Sequence, residues 1–351
     1  MDFTDCLRAQ AALHPSMEPQ DAVKLCYQAA FGAEHLLADP EGAWKGFQTE
    51  FTSAPDRGAA LYEWISPDFC RADLTAWRER GLPPEWLFRM FRYTASAAAP
   101  DGAVRFETYK AVTEDLALAG TLPFPADRWR QFSAQYAAGG PPRPLHHSEA
   151  YRRREHPAYR ILDGRLTRLF PLLLQLAALP ARAGARVVAI DGRAASGKST
   201  MAAQLAEILC AGVVHMDDFF LPPELRTERR LAQPGGNVHY ERFAEEVLPY
   251  LSGPAAFSYR RFDCSRMEYG TWRQVPEGGW RIVEGGYSGH PALGPYADLH
   301  VFSDISPEEQ LCRLRVREDA ESLNRFSSRW IPLEESYFAA CKTRAAADIV
   351  L

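Results

Sequence analysis

The chain has 351 residues, 46% of them hydrophobic and 24% charged, which is the composition of a globular protein large enough for two domains. Its formal net charge of -5 gives no electrostatic basis for binding nucleic acid or an anionic membrane. No apolar run reaches the roughly 18 residues that a membrane helix needs, and "MDFTDCLRAQ" lacks the basic and apolar regions of a signal peptide. The seven cysteines are scattered without a CxxC spacing, so we expect reduced thiols and a cytoplasmic protein.

Residues 1–150 are predicted to form a mainly α-helical domain. In "PQDAVKLCYQAAFGAEHLLA" (19–38), apolar residues recur at helical spacing after a proline that suits a first helical turn. The stretch "PPEWLFRMFRYTASAA" (83–98) repeats this pattern, and nothing in this half alternates as a strand would. The histidines here show no metal-ligand spacing and are interpreted as loop and cap residues; they are His14, His35, His146, His147 and His156.

The segment "AAGGPPRPLHHSEAYRRREHPAYR" (137–160) is rich in glycine, proline and charge, which indicates a domain boundary. We interpret residues 151–184 as a linker that contains a connecting helix. That helix is predicted in "YRILDGRLTRLFPLLLQLAAL" (159–179), where Pro171 either kinks it or starts it anew.

From residue 185 onward, short β-branched runs alternate with helical stretches. The runs cover 186–191, 212–217, 281–285, 299–304 and 347–351. The helical stretches cover 198–210, 240–251, 306–320 and 333–345. Such alternation predicts a parallel sheet covered by helices. Residues 185–351 are therefore expected to form an α/β domain with three layers, α/β/α.

Residues 192–199, "GRAASGKS", match the phosphate-loop pattern G-x-x-x-x-G-K-[ST] without a mismatch, between a predicted strand and a predicted helix. The glycines let backbone N–H groups turn toward an anion, and the following helix directs its positive end at the same anion. Lys198 can reach the β- and γ-phosphates of a nucleotide, and the Ser199 hydroxyl can ligate Mg²⁺. The predicted nucleotide-binding residues of this stretch are Gly192, Arg193, Ala194, Ala195, Ser196, Gly197, Lys198, Ser199 and Thr200.

A pair of carboxylates follows the second predicted strand of this half, in "VVHMDDFF" (213–220). Ligands of open α/β sheets bind at such strand ends, and a carboxylate near the γ-phosphate can accept a proton from a hydroxyl group. The sequence has no NKxD tetrapeptide for guanine and no apolar run that ends in Asp-Glu, as in motor ATPases. Without the nearby phosphate loop, Asp217 and Asp218 would be interpreted as a turn or a helix cap.

At these residues the chain resembles the uridine kinase-like branch of the P-loop kinases, which is related to phosphoribulokinase and pantothenate kinase. The resemblance covers about residues 185–351. It rests on segments that occur in the family's order: "IDGRAASGKST", "MDDFF", "GGNVHYERF", "YRRFDCSR", "RIVEGGYS", "RLRVRE" and "AADIVL".

The resemblance implies roles for individual residues. Asp217 matches the carboxylate that deprotonates the acceptor hydroxyl, and Glu284 matches a residue that, beside Ser199, supports Mg²⁺ through water. Arg313 and Arg317 match arginines of a helix and lid over the phosphates, where they would neutralise the transferring phosphoryl group; the alternative is a solvated helix face. The catalytic residues implied are Asp217, Lys198 and Arg317.

For the phosphate acceptor, the implied binding residues are His239, Tyr259, Arg266 and Tyr287. Two positions depart from the family. His239 stands where uridine kinases have an aspartate that holds the ribose hydroxyls, and Cys264 replaces a histidine that contacts the base. Because a thiol is a weak hydrogen-bonding partner, a nucleoside is not favoured as the acceptor. A sugar, a vitamin precursor or another small alcohol fits equally well.

The sequence thus predicts an ATP- and Mg²⁺-dependent phosphotransferase that acts on a hydroxyl group of a small molecule. A second interpretation is a regulator whose P-loop domain senses ATP and whose helical domain binds a partner. The helical half resembles a domain of uncharacterised bacterial proteins, at "QDAVKLCYQAAFGAEHLL" and "HHSEAYRRREHPAYRIL", for which no activity is implied. Catalysis by the helical half itself is a third alternative.

Overall fold

The computed structural model of the chain describes residues 2–33, 40–56, 58, 60–96 and 101–351. The chain divides into two compact units, Met1–Ala177 and Ala178–Leu351. His35 and the end of the helix predicted over 19–38 lie outside the described residues. In the described ranges, no helix combines the length and the apolar character needed to cross a membrane.

The first unit is mainly helical, as expected, and three short strands accompany the helices. Its helices are α1 (Phe3–Leu13), α2 (Pro19–Phe31), α3 (Pro40–Ser53), α4 (Leu74–Glu79), α5 (Pro84–Ala95), α6 (Gly102–Leu118), α7 (Ala126–Ala138), α8 (Glu149–Glu155) and α9 (Phe170–Ala178). Its strands are β1 (Tyr62–Trp64), β2 (Phe69–Asp73) and β3 (Tyr159–Asp163). In α5 the apolar stripe read from the sequence is buried, so this stripe faces the core of the unit.

The three strands form an antiparallel sheet in the order β1-β2-β3, which the sequence analysis did not predict. Each strand has only three to five residues, too few to show an alternating pattern. Cys70 pairs with Leu162 in this sheet, so β3 returns to a strand far earlier in the chain. The first unit therefore extends beyond the predicted limit of 1–150, and residues 151–177 are part of it instead of a linker.

The second unit contains the alternating elements. Its helices are α10 (Lys198–Leu209), α11 (Glu228–Leu231), α12 (Tyr240–Glu246), α13 (Leu248–Leu251), α14 (Pro307–Arg317), α15 (Ala320–Arg325), α16 (Ile331–Cys341) and α17 (Thr343–Ala346). Its strands are β4 (Arg186–Gly192), β5 (Gly212–His215), β6 (Phe257–Asp263), β7 (Glu268–Val275), β8 (Trp280–Glu284), β9 (Leu299–Ser303) and β10 (Ile349–Val350).

Five strands form a parallel sheet in the order β10-β9-β4-β8-β5. They correspond to the five predicted runs, and helices flank the sheet, so the predicted α/β fold is confirmed. Because the strands are parallel, the carboxyl ends of β4, β5 and β8 meet at one edge. Glu284 pairs in register with both Ile190 and His215, and the phosphate loop begins at Gly192, the last residue of β4.

The hairpin of β6 and β7 stands apart from this sheet and was not predicted. Side chains of β6 alternate between buried and less buried positions only in part, because a bulge between Arg260 and Phe262 shifts the register. Most of β7 is exposed and therefore lacks an apolar face. The helix predicted over 240–251 is also divided, since Val247 separates α12 from α13.

Candidate active site

The phosphate loop lies between β4 and α10, as predicted, and its backbone depends on glycine. Gly192 has φ +132°, and a Cβ atom placed there would lie 2.1 Å from the carbonyl oxygen of Ser303. Gly197, at the start of α10, has φ +97°. These values lie in the region that glycine reaches without strain. The backbone of the loop therefore has a tight bend at Gly192, and a side chain at this position would collide with Ser303.

The side chain of Lys198 lies inside the phosphate loop. Its Nζ atom donates hydrogen bonds to the carbonyl oxygens of Gly192 (2.8 Å) and Arg193 (2.7 Å), and the residue is buried. The loop therefore fixes an ammonium group at the amino end of α10, where the helix dipole also favours an anion.

A carboxylate from α16 contacts the loop in this structure. The N–H group of Ala194 donates to Oε2 of Glu334 at 3.1 Å. Burial raises the pKa of Glu334, against the nearby ammonium group of Lys198, which lowers it. Arg193 is bound to carboxylates as well, to Asp304 at 2.9 Å and to Glu335. The carboxylate of Glu334 thus occupies a loop N–H group that a phosphate would also use.

Ser199 and Glu284, the two residues predicted to hold Mg²⁺, lie in contact. The Ser199 hydroxyl donates to Oε2 of Glu284 at 3.1 Å. The other carboxylate oxygen of Glu284 is 2.6 Å from Nδ1 of His215, and this hydrogen bond raises the pKa of His215. Hydroxyl and carboxylate oxygens are ligands that suit Mg²⁺. His215 was not among the predicted site residues, although its place at the end of a predicted strand marks it as a candidate.

Asp217 lies in a short 3₁₀ turn, Met216–Phe219, directly after β5. The residue reaches the surface, in a place that protein atoms closely surround. Partial removal from water by the surrounding protein atoms, and then the nearby carboxylate of Glu284, raise the pKa of Asp217, whereas the ammonium group of Lys198 lowers it. The carboxylate therefore lies within electrostatic reach of both the phosphate loop and the candidate Mg²⁺ ligands.

Asp218 has different surroundings from its neighbour in the sequence. It is buried and accepts a hydrogen bond of 2.9 Å from the Tyr259 hydroxyl. Arg261 and Arg273 each place a nitrogen 3.4 Å from its carboxylate oxygens. Asp218 therefore binds side chains of the β6–β7 hairpin. Asp217 makes none of these contacts, and we call it the open carboxylate of the pair.

Two of the four expected acceptor-binding residues are buried in the fold. Tyr259 is 0% exposed, and its hydroxyl also accepts a hydrogen bond from the N–H group of His215 at 3.2 Å. Tyr287 is 3% exposed and packs against Tyr337. In this conformation neither tyrosine has surface for a substrate, so their role as direct contacts stays a prediction. Tyr259 instead positions Asp218 and the end of β5.

The other two acceptor candidates lie at partly or fully exposed positions. His239 caps α12, because its Nδ1 atom accepts from the N–H group of Arg242 at 3.2 Å. Arg266 is exposed in the turn between β6 and β7, where its Nε atom lies 3.4 Å from Glu268. Burial raises the pKa of the Cys264 thiol; the nearby charge of Arg226 lowers this pKa, and that of Asp217 raises it. Arg226 was not among the predicted site residues.

The two predicted phosphate arginines on α14 are placed differently. Arg313 donates from a terminal nitrogen (Nη1) to the carbonyl oxygens of Ala195 (3.2 Å) and Ser196 (3.5 Å), so it does reach the loop. Arg317 binds Glu318 at 2.7 Å. Among the described residues, no hydrogen bond or ion pair links Arg317 to the loop, so its catalytic role stays a prediction.

Asp191 was missed by the sequence analysis, although it directly precedes the loop. It is buried and accepts hydrogen bonds from the N–H groups of Gly192 (2.7 Å), Tyr287 (3.1 Å) and Gly289 (3.0 Å), and from the Tyr337 hydroxyl (2.7 Å). Burial raises its pKa, although these bonds lower it. Asp191 therefore ties the segment after β8 to the start of the phosphate loop.

No family model and no curated protein matches the chain. Among solved structures, it is similar to a protein described as a possible uridine kinase from Bacillus stearothermophilus, at 20% identity and a TM-score of 0.41; the match covers 53% of this chain and 99% of that one. It is also similar to a protein described provisionally as a fructose transport system kinase from Silicibacter sp. TM1040, at 25% identity and a TM-score of 0.38, covering 49% of this chain and 92% of that one. Each match covers about half of this chain, and the chemistry has to be judged from the residues themselves.

Proposed function

We propose that the second unit is an ATP-dependent kinase that transfers the γ-phosphate to a hydroxyl group of a small molecule. The observation that supports this most directly is the open carboxylate of Asp217 within electrostatic reach of Lys198, beside the contact between Ser199 and Glu284. A protein that only binds nucleotide has no need of a free carboxylate at this place.

In the proposed reaction, loop N–H groups and Lys198 hold the phosphates, and Asp217 accepts the proton of the acceptor hydroxyl. Ser199 and Glu284 would hold Mg²⁺, which neutralises charge on the phosphates when bound. Arg313, already at the loop, adds a positive charge beside the transferring group. His215 would act as a positioning residue, because it orients the carboxylate of Glu284.

The test is ADP formation from ATP and Mg²⁺ in the presence of sugars, nucleosides and vitamin precursors. We expect an acceptor-dependent rate, and we expect Asp217→Asn to retain ATP binding but to lose most of the turnover, by about 10²-fold or more. Asp127→Asn, at an exposed position in α7, is the matched control and should not change the rate. Full turnover in Asp217→Asn would remove the proposed base.

A second candidate function is an ATP-binding regulator. It is favoured by the contact of Glu334 with the phosphate loop and by the burial of Tyr259 and Tyr287. ATP binding without ADP formation for any acceptor of the panel would support this function over the kinase.

A further inference from the structure

Two arginines of the β6–β7 hairpin lie against one carboxylate, next to the proposed base in the sequence. The Nε atoms of Arg261 and Arg273 are each 3.4 Å from an oxygen of Asp218. Asp218 also accepts a hydrogen bond of 2.9 Å from the Tyr259 hydroxyl. A single carboxylate can neutralise only one of the two guanidinium groups, so the second charge needs another partner.

The donor groups of both arginines are open to a ligand. The side chains of Arg261 and Arg273 are 41% and 46% exposed, respectively. Among the residues that the structure describes, neither guanidinium group makes a hydrogen bond, since both lie farther from Asp218 than the about 2.7–2.9 Å of a charge-assisted bond. Most of their N–H groups therefore point at no protein acceptor.

Asp263 supplies the other carboxylate near this pair, but it mainly serves the hairpin turn. Its Oδ1 atom accepts hydrogen bonds from the N–H group (2.9 Å) and the hydroxyl (2.6 Å) of Ser265. Its Oδ2 atom is 3.6 Å from Nη2 of Arg261, which is beyond hydrogen-bonding distance. The contact thus leaves the guanidinium group of Arg261 able to bind an anion.

A third arginine, Arg226, lies near the same place. Its Nε atom donates to the carbonyl oxygen of Leu221 at 2.7 Å, and no carboxylate in the described part of the chain is within ion-pair distance of it. Cys264 lies close to both Arg226 and Asp217, because the charge of each acts on the pKa of its thiol. Arg226 therefore adds positive charge beside the proposed base.

The balance of charge changes when the proposed base takes up a proton. The charged groups around Asp217 are three guanidinium groups and two carboxylates, those of Arg226, Arg261, Arg273, Asp218 and Asp263. The carboxylate of Asp217 is a third negative charge, which is lost as it accepts the proton of the acceptor hydroxyl. The arginines are then in excess, and a negative group on the acceptor would compensate for them.

Arg273 also lies near the proposed Mg²⁺ ligands. Its charge lowers the pKa of His215, against the hydrogen bond from Glu284 that raises it. His215 and Glu284 are 2.6 Å apart. A group that is bound by Arg273 would therefore keep the rest of its molecule close to the place of phosphate transfer.

We propose that the acceptor of the kinase is a small hydroxyl compound that carries an anionic group, a carboxylate or a phosphate, and that Arg261 and Arg273 bind this group. The parallel N–H groups of a guanidinium match the paired oxygens of either anion. Arg226 adds to the positive field that attracts the anion. This inference rests on the proposed function, because it defines what the acceptor site of that kinase holds.

The test compares compounds that differ mainly at one end. Glucose, glucuronate and glucose 6-phosphate form one set, and ribose and ribose 5-phosphate form another. Each is titrated by calorimetry into the full chain in the presence of Mg²⁺ and ADP, which occupies the phosphate loop. We expect an acidic compound to bind about tenfold or more tightly than its neutral counterpart. Preference for glucuronate assigns a carboxylate to the acceptor, and preference for the sugar phosphates assigns a phosphate.

Arg261→Gln and Arg273→Gln each remove one charge of the pair. Each should weaken the binding of the acidic compound about tenfold and leave its neutral counterpart unchanged, so the ratio of the two affinities falls. A purely structural role beside Asp218 would weaken both compounds alike. Arg261→Lys keeps the charge and should retain part of the preference. Arg315→Gln, at an exposed position in α14, is the control and should bind as the wild type does.

Unchanged ratios in Arg261→Gln and Arg273→Gln, equal binding of acidic and neutral compounds, or no binding of any acidic compound at millimolar concentration would overturn the inference. Weaker binding of ADP by these two variants would also overturn it, because the arginines would then belong to the nucleotide site. ADP formation with neutral acceptors alone would keep the kinase and remove the anionic acceptor. Binding of acidic compounds that depends on both arginines, without ADP formation, would keep the anion site and remove the kinase.

Discussion

Asp217 and Asp218 are neighbours in the sequence, but their surroundings give them different chemistry. Asp218 is buried between the Tyr259 hydroxyl and two arginines, whereas Asp217 reaches the surface near Lys198 and Glu284. The residues alone mark both as candidates, and only the family resemblance singles out the first. The two aspartates differ in burial because their side chains point in different directions from the short turn Met216–Phe219.

The first prediction concerns pH. The pKa of Asp217 is raised, so the base becomes protonated at a higher pH than an ordinary aspartate with a pKa of 3.8. We therefore expect kcat/KM for the acceptor to fall as the pH is lowered, with a midpoint above 3.8, and to be constant above it until another group titrates. The pH profile of the initial rate measures this. A midpoint at or below 3.8 would contradict a raised pKa for the base.

Glu334 gives a second prediction at this scale. Its carboxylate accepts from the Ala194 N–H group, which a phosphate would also use. Glu334→Gln removes the negative charge, so we expect ATP to bind about threefold to tenfold more tightly, which corresponds to about 1 kcal/mol, the net contribution of a typical hydrogen bond. Titration with a fluorescent ATP analogue measures the affinity. Glu321→Gln, at an exposed position in α15, is the control, and equal or weaker binding by Glu334→Gln would show that the carboxylate does not compete.

At the scale of elements, the five strands of the parallel sheet were predictable because each is a run of β-branched and apolar residues between helices. The hairpin of β6 and β7 was not, since β7 is exposed and a bulge interrupts β6. The strands of the first unit were also missed, because β3 pairs with a strand far away in the sequence and is too short to show a pattern of its own.

The turn from β4 into the phosphate loop supports a third prediction. Gly192 has φ +132°, and an added Cβ atom would meet the backbone of Ser303 at 2.1 Å. We expect Gly192→Ala to lower the free energy of unfolding by roughly 2 kcal/mol or more and to abolish ATP binding. Urea denaturation measures the stability. Gly279→Ala is the matched control, since an added Cβ there has no atom within 4 Å; equal stabilities of the two variants would contradict the strain.

At the scale of the whole molecule, the two units differ in how their polar groups are used. In the second unit, charged groups lie at the carboxyl edge of the parallel sheet, around a phosphate loop that its sequence motif identifies. In the first unit, polar side chains from α2, β2, β3 and the segment before α8 join in a buried series. His147 lies in a loop, as the sequence predicts, and its side chain lies in the centre of this series.

The stability of the first unit should depend on His147. Burial, with the charges of Arg71 and Lys24, lowers the pKa of His147 to about 4, against the hydrogen bond to Asp21, which raises it. Below pH 6.5 the unfolded chain takes up a proton that the folded chain does not bind, so the free energy of unfolding falls between about pH 6.5 and about pH 4.

His147→Gln should remove this dependence and leave a flatter profile in that range, which hydrogen exchange of the α2 amides at several pH values measures. The lowered pKa of His290 in the second unit is present in both proteins, so the difference between them isolates His147. Parallel profiles for the two proteins would show that His147 titrates normally.

The sequence by itself determined the α/β fold of the second half, the position of the phosphate loop and the set of polar residues near it, because these depend on local patterns and on one motif with fixed spacing. Only the tertiary structure decided that Asp217 is the open carboxylate, that Tyr259 and Tyr287 are buried, and that Glu334 reaches the loop. It also brought Arg261 and Arg273 to Asp218. These facts depend on contacts between residues that are distant in the chain, and local sequence patterns do not predict such contacts.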